Sequence, residues 1–197
     1  MKKKNIIFVL IIITLLIIGG VFWCINRPKE IKGSPDDYVI KDTQEGSVVE
    51  NSKAGLRFKV PDGWRAKKVE VEEGSVVLYS PDAESVYPTG SLRPPLKKGC
   101  MIEIAVGYRK MDFEKLKKEI QRIHEGLAVK LDEVKETKIH NVPTLENRFE
   151  CVELGFSINL YPVLEDKFYS ISLSLAPQER EKCSKAFDKF LATLSFE

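Results

Sequence analysis

The sequence lacks the short motifs that accompany common metal and nucleophile chemistry. Its four cysteines include no C-x-x-C pair, so zinc sites and thioredoxin-like chemistry have no support. Its two histidines, His124 in a predicted helix and His140 before a predicted turn, have no cysteine or carboxylate spaced to complete a metal site. No G-x-S-x-G elbow is present. We therefore expect no metal, no cofactor and no catalytic residue, and a protein that is not an enzyme.

The chain also lacks a surplus of either charge. It contains 31 Lys+Arg and 29 Asp+Glu, and three of the basic residues are Lys2, Lys3 and Lys4 at the N-terminus. Without those three lysines the balance is nearly neutral. Nucleic-acid binders gain most of their affinity by neutralising phosphates, so this balance argues against a nucleic-acid partner.

One long hydrophobic run lies near the N-terminus. Residues 6–25 carry no charge, and a helix of that length, at about 1.5 Å per residue, spans the hydrocarbon core of a bilayer. A cleaved signal peptide fits less well, because its apolar region is usually about 7 to 15 residues long and ends at a small-residue site. A lipoprotein signal needs a small residue before the acylated cysteine, whereas Trp23 precedes Cys24. We predict an uncleaved transmembrane anchor over 6–25.

The orientation of this anchor follows from the size of the segments on its two sides. Basic residues are balanced, with three lysines before the run and Arg27, Lys29 and Lys32 after it. A short basic tail, residues 1–5, followed by an anchor and a large domain is typical of a cytoplasmic N-terminus. We therefore expect a single-pass protein of the cell membrane with its C-terminal domain outside the cytoplasm.

A polar stretch separates the anchor from the rest of the chain. Residues 26–53 contain several prolines and glycines and few large apolar residues, which predicts a linker. The roughly 145 residues that follow suffice for one domain with a hydrophobic core and are too few for two. No repeat period or low-complexity tract is present. We predict one domain over 54–197.

The domain alternates between the periods of strands and helices. Apolar spacings of three and four predict a helix over 113–127 and a second helix after Pro177. Short turns at Gly155 and at 165–166 make the last three strands an antiparallel meander. The fold class is therefore α+β, with a central antiparallel sheet flanked by helices. Period-2 patterns predict strands at 56–60, 66–71, 75–80, 100–107, 133–140, 144–153, 156–164 and 168–175.

Three cysteines remain in the domain when Cys24 is assigned to the anchor. The alternation of their strands turns Cys100 and Cys151 toward the core, and Cys183 lies on the apolar side of the second helix. Buried free thiols are one interpretation. A Cys100–Cys151 disulfide is the other, and it requires Cα atoms within about 7 Å.

Residues 55–64, GLRFKVPDGW, resemble the opening strand and turn of PsbP-like domains, which commonly read aromatic-x-Val/Ile-Pro-x-Gly-Trp. The resemblance continues through 77–80, the strand 101–106, the helix, the meander and the terminal helix, and covers 55–197. It implies a central antiparallel sheet flanked by helices, in a family of mostly non-enzymatic extrinsic subunits and assembly factors best known on photosystem II. A membrane anchor stands where a thylakoid transit peptide would be, which argues against a photosynthetic role. No functional residue is carried over.

Two surfaces are candidates for recognition. The first is the proline-rich loop 81–99, which we expect to lack regular structure and whose candidate binding residues are Tyr87, Arg93, Lys97 and Lys98. An ordinary solvated loop is the alternative. The second, which we call the serine face, could be covered closely by another element, although an ordinary solvent-facing side of a sheet has the same pattern. It consists of Ser157, Asn159, Tyr161, Ser170, Ser172 and Ser174.

These features favour a membrane-anchored, extracytoplasmic, non-enzymatic module that binds or assembles a membrane or envelope complex. Its partner would be an unidentified membrane or envelope protein. An envelope carrier of a hydrophobic ligand is the alternative and would need an apolar cavity between sheet and helix. A hydrolase is a third hypothesis and would need a cleft with converging titratable groups.

Overall fold

The computed structural model describes residues 33–70, 74–85, 95–125, 130–131, 134–151 and 155–197. The predicted anchor over 6–25 lies outside these residues, as do Tyr87 and Arg93. Within the described ranges, no helix combines the length and apolar character needed to cross a bilayer.

The described residues form strands, two α-helices and two short 3-10 turns. The helices are α1 (Phe113–Glu125) and α2 (Arg180–Leu191), and the 3-10 turns are η1 (Pro35–Asp37) and η2 (Pro177–Glu179). The strands are β1 (Val39–Thr43), β2 (Gly46–Asn51), β3 (Leu56–Lys59), β4 (Arg65–Val69), β5 (Ser75–Tyr79), β6 (Glu84–Ser85), β7 (Leu96–Lys98), β8 (Cys100–Gly107), β9 (Lys130–Leu131), β10 (Lys135–Ile139), β11 (Val142–Cys151), β12 (Gly155–Pro162), β13 (Phe168–Leu175) and β14 (Ser195–Phe196).

Antiparallel pairing joins most of these strands into two sheets. The large sheet has the order β10-β11-β12-β13-β8-β5-β4, with β9 paired to β11. The small sheet has the order β1-β2-β3-β14, and β6 pairs with β7 apart from both sheets. The predicted meander is present as β11, β12 and β13. The α+β class with an antiparallel sheet is therefore confirmed.

The predicted linker over 26–53 is wrong for its second half. β1 and β2 form a hairpin there, and β2 pairs with β3, so that Val49 lies opposite Phe58. Tyr38 and Val49 are buried in the main core. The pattern was hard to read because β1 is an edge strand whose side chains are mostly exposed, so that little apolar alternation marks it.

The large sheet has two faces, which we call inner and outer, and buries both of them along its middle strands β12, β13, β8 and β5. The inner face carries residues such as Ile102, Ile104, Ile171 and Leu173, which join the main core with the small sheet and α2. The outer face carries the alternate residues of the same strands. It holds two smaller apolar clusters, one around Met101 and Val77, and one where Leu116 and Ile120 of α1 pack with Val134 and Leu145.

A disulfide fixes α2 to the inner face. Cys100 of β8 is bonded to Cys183 of α2, with a Cα–Cα distance of 5.7 Å and a sequence separation of 83. Both predicted interpretations of Cys100, a free thiol and a bridge to Cys151, are therefore wrong. Strand alternation placed Cys100 on the correct face, but it does not say which element covers that face.

Candidate functional site

A groove of about 810 Å³ lies between α2 and the turn that follows β3. Residues 59–64 form one wall, and the side of α2 that carries Lys182, Lys185 and Lys189 forms the other. Its apolar lining consists of Trp64, which is half-buried, and of Val60 and Phe190, which are buried in the main core behind it. We call this site the helix groove.

The turn wall has a local structural cause. Trp64 donates its backbone N–H to the carbonyl of Pro61, which closes a four-residue turn through Asp62 and Gly63. Gly63 has a φ of 77°, a conformation that glycine adopts without a steric penalty. The turn brings Trp64 back against the edge of the main core, where its ring is half-buried. The motif that resembles a PsbP-like opening thus supplies one wall of the groove.

The helix wall follows from the period of α2. Lys182, Lys185 and Lys189 are spaced by three and four residues and therefore share one side of the helix. The buried residues Cys183, Phe187 and Phe190 hold the adjacent side against the core. Sequence reasoning recorded the apolar positions of this helix but missed the lysine stripe, whose i, i+3, i+7 spacing is the signal that could have found it.

The groove lysines differ in how far their charges are compensated. The Nζ atom of Lys182 lies 2.6 Å from Oδ2 of Asp82 and 3.4 Å from Oε2 of Glu179. The hydrogen bond from Lys182 lowers the pKa of Asp82, and the same bond raises the pKa of Lys182. Lys185 pairs with Glu181 at 2.6 Å. Lys189 makes no ion pair with any residue that the structure describes.

The described part of the predicted recognition loop meets one end of this groove. Lys97 and Lys98 belong to β7, so the expectation that 81–99 lacks regular structure is wrong at the ends of the loop. The Lys97 side chain pairs with Glu84 at 3.1 Å. The side-chain amide of Gln178, a groove residue, donates to the backbone carbonyl of Lys97 at 2.8 Å. The structure therefore brings Lys97 beside the groove, whereas Tyr87 and Arg93 lie outside the described residues.

The residues of the serine face share the outer face of the large sheet. Ser157 is opposite Ser174, and Asn159 is opposite Ser172. The centre of this surface is not solvent-facing, since Ser157, Asn159 and Ser172 are buried. The other three residues are half-buried, namely Tyr161, Ser170 and Ser174. The interpretation as an ordinary exposed side of a sheet is therefore wrong for the central residues.

Sequence reasoning missed the polar neighbours of the serine face. Asn147, Asn159, Ser172 and Glu103 occupy successive paired positions across four strands, so that adjacent Cβ atoms lie about 4.5 to 5.5 Å apart. Glu103 is only 6% exposed. The sequence signal for Glu103 was its place between Ile102 and Ile104 on one strand, where alternation puts the carboxylate on the face opposite the two isoleucines. We call these four residues the polar row.

The most strongly shifted titratable groups hold the interior together. Tyr38 donates its hydroxyl to the carbonyl of Ile104 at 3.3 Å, and Tyr169 donates to that of Ala54 at 2.6 Å. Burial raises the pKa of both tyrosines far above the usual range. They therefore remain protonated donors at physiological pH, and each bond joins a strand of the large sheet to a segment that flanks a strand of the small sheet. Among the residues with described positions, no group of three His, Cys, Asp or Glu could hold a metal ion.

Comparison with known proteins gives similarity to solved structures alone. No family model and no curated protein matches the chain. It is similar to the solution structure of cyanobacterial PsbP (CyanoP) from Synechocystis sp. PCC 6803, with 14% identity, a TM-score of 0.46, and coverage of 76% of this chain and 91% of that one.

Two further solved structures are similar to this chain at low identity. LpqN, involved in cell envelope biogenesis of Mycobacterium tuberculosis, has 10% identity and a TM-score of 0.48, over 80% of this chain and 89% of that one. A crystal structure from Bacteroides thetaiotaomicron has 15% identity and a TM-score of 0.42, over 73% of this chain and 45% of that one. The PsbP structure belongs to the family that residues 55–64 resemble.

Proposed function

We propose that this chain is a membrane-anchored, extracytoplasmic, non-enzymatic binding module that contacts a membrane or envelope protein through the helix groove. The observation that carries the proposal is the composition of the groove. Protein-binding surfaces combine an apolar or aromatic centre with a polar rim. The half-buried side chains of Trp64 and Ala186 provide the centre here, and the lysines of α2 provide the rim.

The groove also has rigid walls, which favours binding because little order must be gained when a partner arrives. The disulfide at Cys183 attaches α2 to β8, an interior strand of the large sheet. Phe190 packs edge-on against Phe58 of β3, with ring centroids 5.3 Å apart. The Thr193 hydroxyl accepts a hydrogen bond from the backbone N–H of Lys59 at 3.1 Å. Both walls are thus tied to the same core.

The disulfide supports a location outside the cytoplasm. Disulfides persist in oxidising compartments and are rare in the cytosol of most organisms. Cys100 and Cys183 are both fully buried, so the bond belongs to the core. This agrees with the expected topology, in which the anchor over 6–25 leaves the C-terminal domain outside.

The other two function classes have less support in the described residues. A carrier would need an apolar cavity between sheet and helix, but Phe187, Phe190, Leu194 and the disulfide occupy the space between α2 and the inner face. A hydrolase would need converging titratable groups. The groove carboxylates Asp62 and Glu181 are instead paired with lysines at the surface.

Photocrosslinking in intact cells tests the proposal. A photoreactive residue at Lys189 should attach to one envelope protein, whereas the same residue at Lys138, an exposed lysine on the edge strand β10, should not. The two sites offer the same type of starting residue. Equal crosslinking at both positions, or none at Lys189 in cells that contain the folded protein, would contradict the proposal.

Protease protection tests the topology separately. Protease added outside intact cells should digest the C-terminal domain and leave a tag at the N-terminus intact. Complete protection of the domain in sealed cells, followed by digestion after lysis, would place it in the cytoplasm and contradict the extracytoplasmic role.

A further inference from the structure

We infer that the ligand of the helix groove is an acidic peptide segment that carries at least one large apolar side chain. The inference rests on the proposed function, because it names the ligand class of the same groove. It depends on where positive charge remains uncompensated, on the apolar surface beneath that charge, and on the concave shape of the site.

Uncompensated charge lies toward the end of α2 that is nearer to β3. At the start of the helix, two carboxylates already neutralise Lys182. Lys189 has no carboxylate partner within the described chain, and the partner of Lys59 is Asp62, whose side chain is 92% exposed and 3.5 Å away. Exposed pairs of this kind contribute little free energy, so an incoming carboxylate can replace them. The local charge is complementary to an acidic ligand.

Apolar surface lies beside these lysines. The groove is lined by Val60 and Phe190, which are buried, and by Trp64 and Ala186, which are half-buried. An aromatic ring with its edge open to solvent gains from contact with an apolar side chain, since that contact removes area from water. A ligand made only of charged groups would leave this surface uncovered.

The shape favours a peptide over a lipid surface. A groove of about 810 Å³ lies within the range of about 300 to 1,000 Å³ that small ligands occupy, and it can therefore enclose a few side chains. A bilayer surface is broad and cannot enter a concave site between a helix and a turn. Trp64 lies inside this concavity and can report its occupancy.

Fluorescence of Trp64 in the full-length chain tests the inference. The chain has two tryptophans, so Trp23→Phe leaves Trp64 as the only one. The protein is kept in neutral detergent and titrated with a short peptide that alternates glutamate and leucine, with its glutamine counterpart and with its lysine counterpart. The glutamate peptide should shift Trp64 emission with saturation. The glutamine peptide should bind about 3- to 10-fold more weakly, and the lysine peptide should not bind.

Matched charge removals locate the effect. In the same background, Lys185→Ala with Lys189→Ala should weaken binding of the glutamate peptide about 3- to 10-fold. Lys135→Ala with Lys138→Ala removes the same charge from exposed positions of β10 and should leave binding unchanged. Thermal midpoints of both variants equal to that of the parent show that the fold is intact. Added salt should reduce the difference between the glutamate and glutamine peptides, since it screens exposed charges.

Three results would overturn the inference. Equal binding of the glutamate and glutamine peptides would show that the ligand need not be acidic. If no peptide changed Trp64 emission, the ligand would not be a peptide of this kind. A Trp64 response to nanodiscs of anionic lipid, without a response to peptide, would make a membrane surface the occupant. If crosslinking from Lys189 succeeds in any of these cases, the binding function stands and only the ligand class fails.

Discussion

The inner and outer faces of the large sheet are built from alternate residues of the same strands, yet they are buried with different chemistry. On β13, Ile171 of the inner face is fully buried among apolar side chains, and its neighbour Ser172 on the outer face is only 3% exposed. On β12, β13, β8 and β5 the inner face is a continuous apolar surface. The outer face places the polar row between two apolar clusters. An alternation of apolar and polar residues therefore indicates which face of a sheet is apolar, but not whether the other face is exposed to solvent.

The two faces should differ in what they contribute to stability. Apolar burial stabilises in proportion to the area removed from water. A buried polar group without a partner instead costs about 1 to 3 kcal/mol. The hydroxyls of Ser75 and Ser172 find no hydrogen-bond partner in the described residues. We expect the inner face to provide most of the folding free energy. The outer face should contain positions that reduce the stability of the fold.

The largest expected effect is loss of the covalent bond between the inner face and α2. Replacing Cys100 and Cys183 together by serine opens a crosslink with a sequence separation of 83. The chain-entropy relation then predicts a loss of about 4.5 kcal/mol in the free energy of unfolding. Urea unfolding without reductant measures this loss. A loss below about 1 kcal/mol would mean that packing alone holds α2 on the sheet.

The next effect in size comes from one apolar residue of the inner face. Ile171→Ala removes a side chain that is buried between β8 and β12 in the centre of the sheet. The expected loss is about 2 to 5 kcal/mol, because transfer and cavity terms add. Chemical denaturation of the oxidised protein measures it. A loss under about 1 kcal/mol would show that the inner face relaxes around the gap and is not a closely packed core.

Sequence periodicity predicted the inner face well, because each residue there obeys a local rule. The strand positions of Ile102, Ile171 and Leu173 and the helix position of Phe190 follow from periods of 2 and 3.6. The hairpin of β1 and β2 did not follow, since it is an edge element that gains its burial from β3. Such tertiary pairing leaves little trace in the local pattern.

The candidate site was less predictable than the fold, because it joins segments that are far apart in the chain. Trp64 and Lys189 meet only when α2 lies against the turn after β3. The disulfide and the Asp82–Lys182 pair have the same origin, with sequence separations of 83 and 100. Composition made Lys97 and Lys98 candidate binding residues, and the fold places β7 beside the groove.

A smaller effect concerns the ion pair between Asp82, in the loop after β5, and Lys182 of α2, the helix that covers the inner face. Lys182 lowers the pKa of Asp82 below its ordinary 3.8. The carboxylate therefore stabilises the fold above pH 3.8, and this contribution disappears as the pH falls through the lowered pKa. Asp82→Asn should cost less than about 1 kcal/mol at neutral pH.

Acid unfolding of the two proteins measures this effect. The variant should lose less stability than the parent between neutral pH and pH below 3.8, since the titrating group is absent. The pKa of Lys182 is raised above 10.5, so its share of the pair should be lost as the pH rises beyond that value. Parallel acid curves for parent and variant would show that the pair is solvent-screened and does not attach the loop to α2.

The smallest expected effect separates two serines of the outer face. Ser157 donates its hydroxyl to the carbonyl of Leu173 at 3.0 Å, whereas the Ser172 hydroxyl has no partner in the described chain. Ser157→Ala should therefore cost about 0.5 to 1.5 kcal/mol, and Ser172→Ala should change stability by about zero or raise it slightly. Thermal unfolding of the two variants compares them directly. If Ser172→Ala proved the more damaging, its hydroxyl would be bonded to whatever covers the outer face, and the serine face would become a binding surface in its own right.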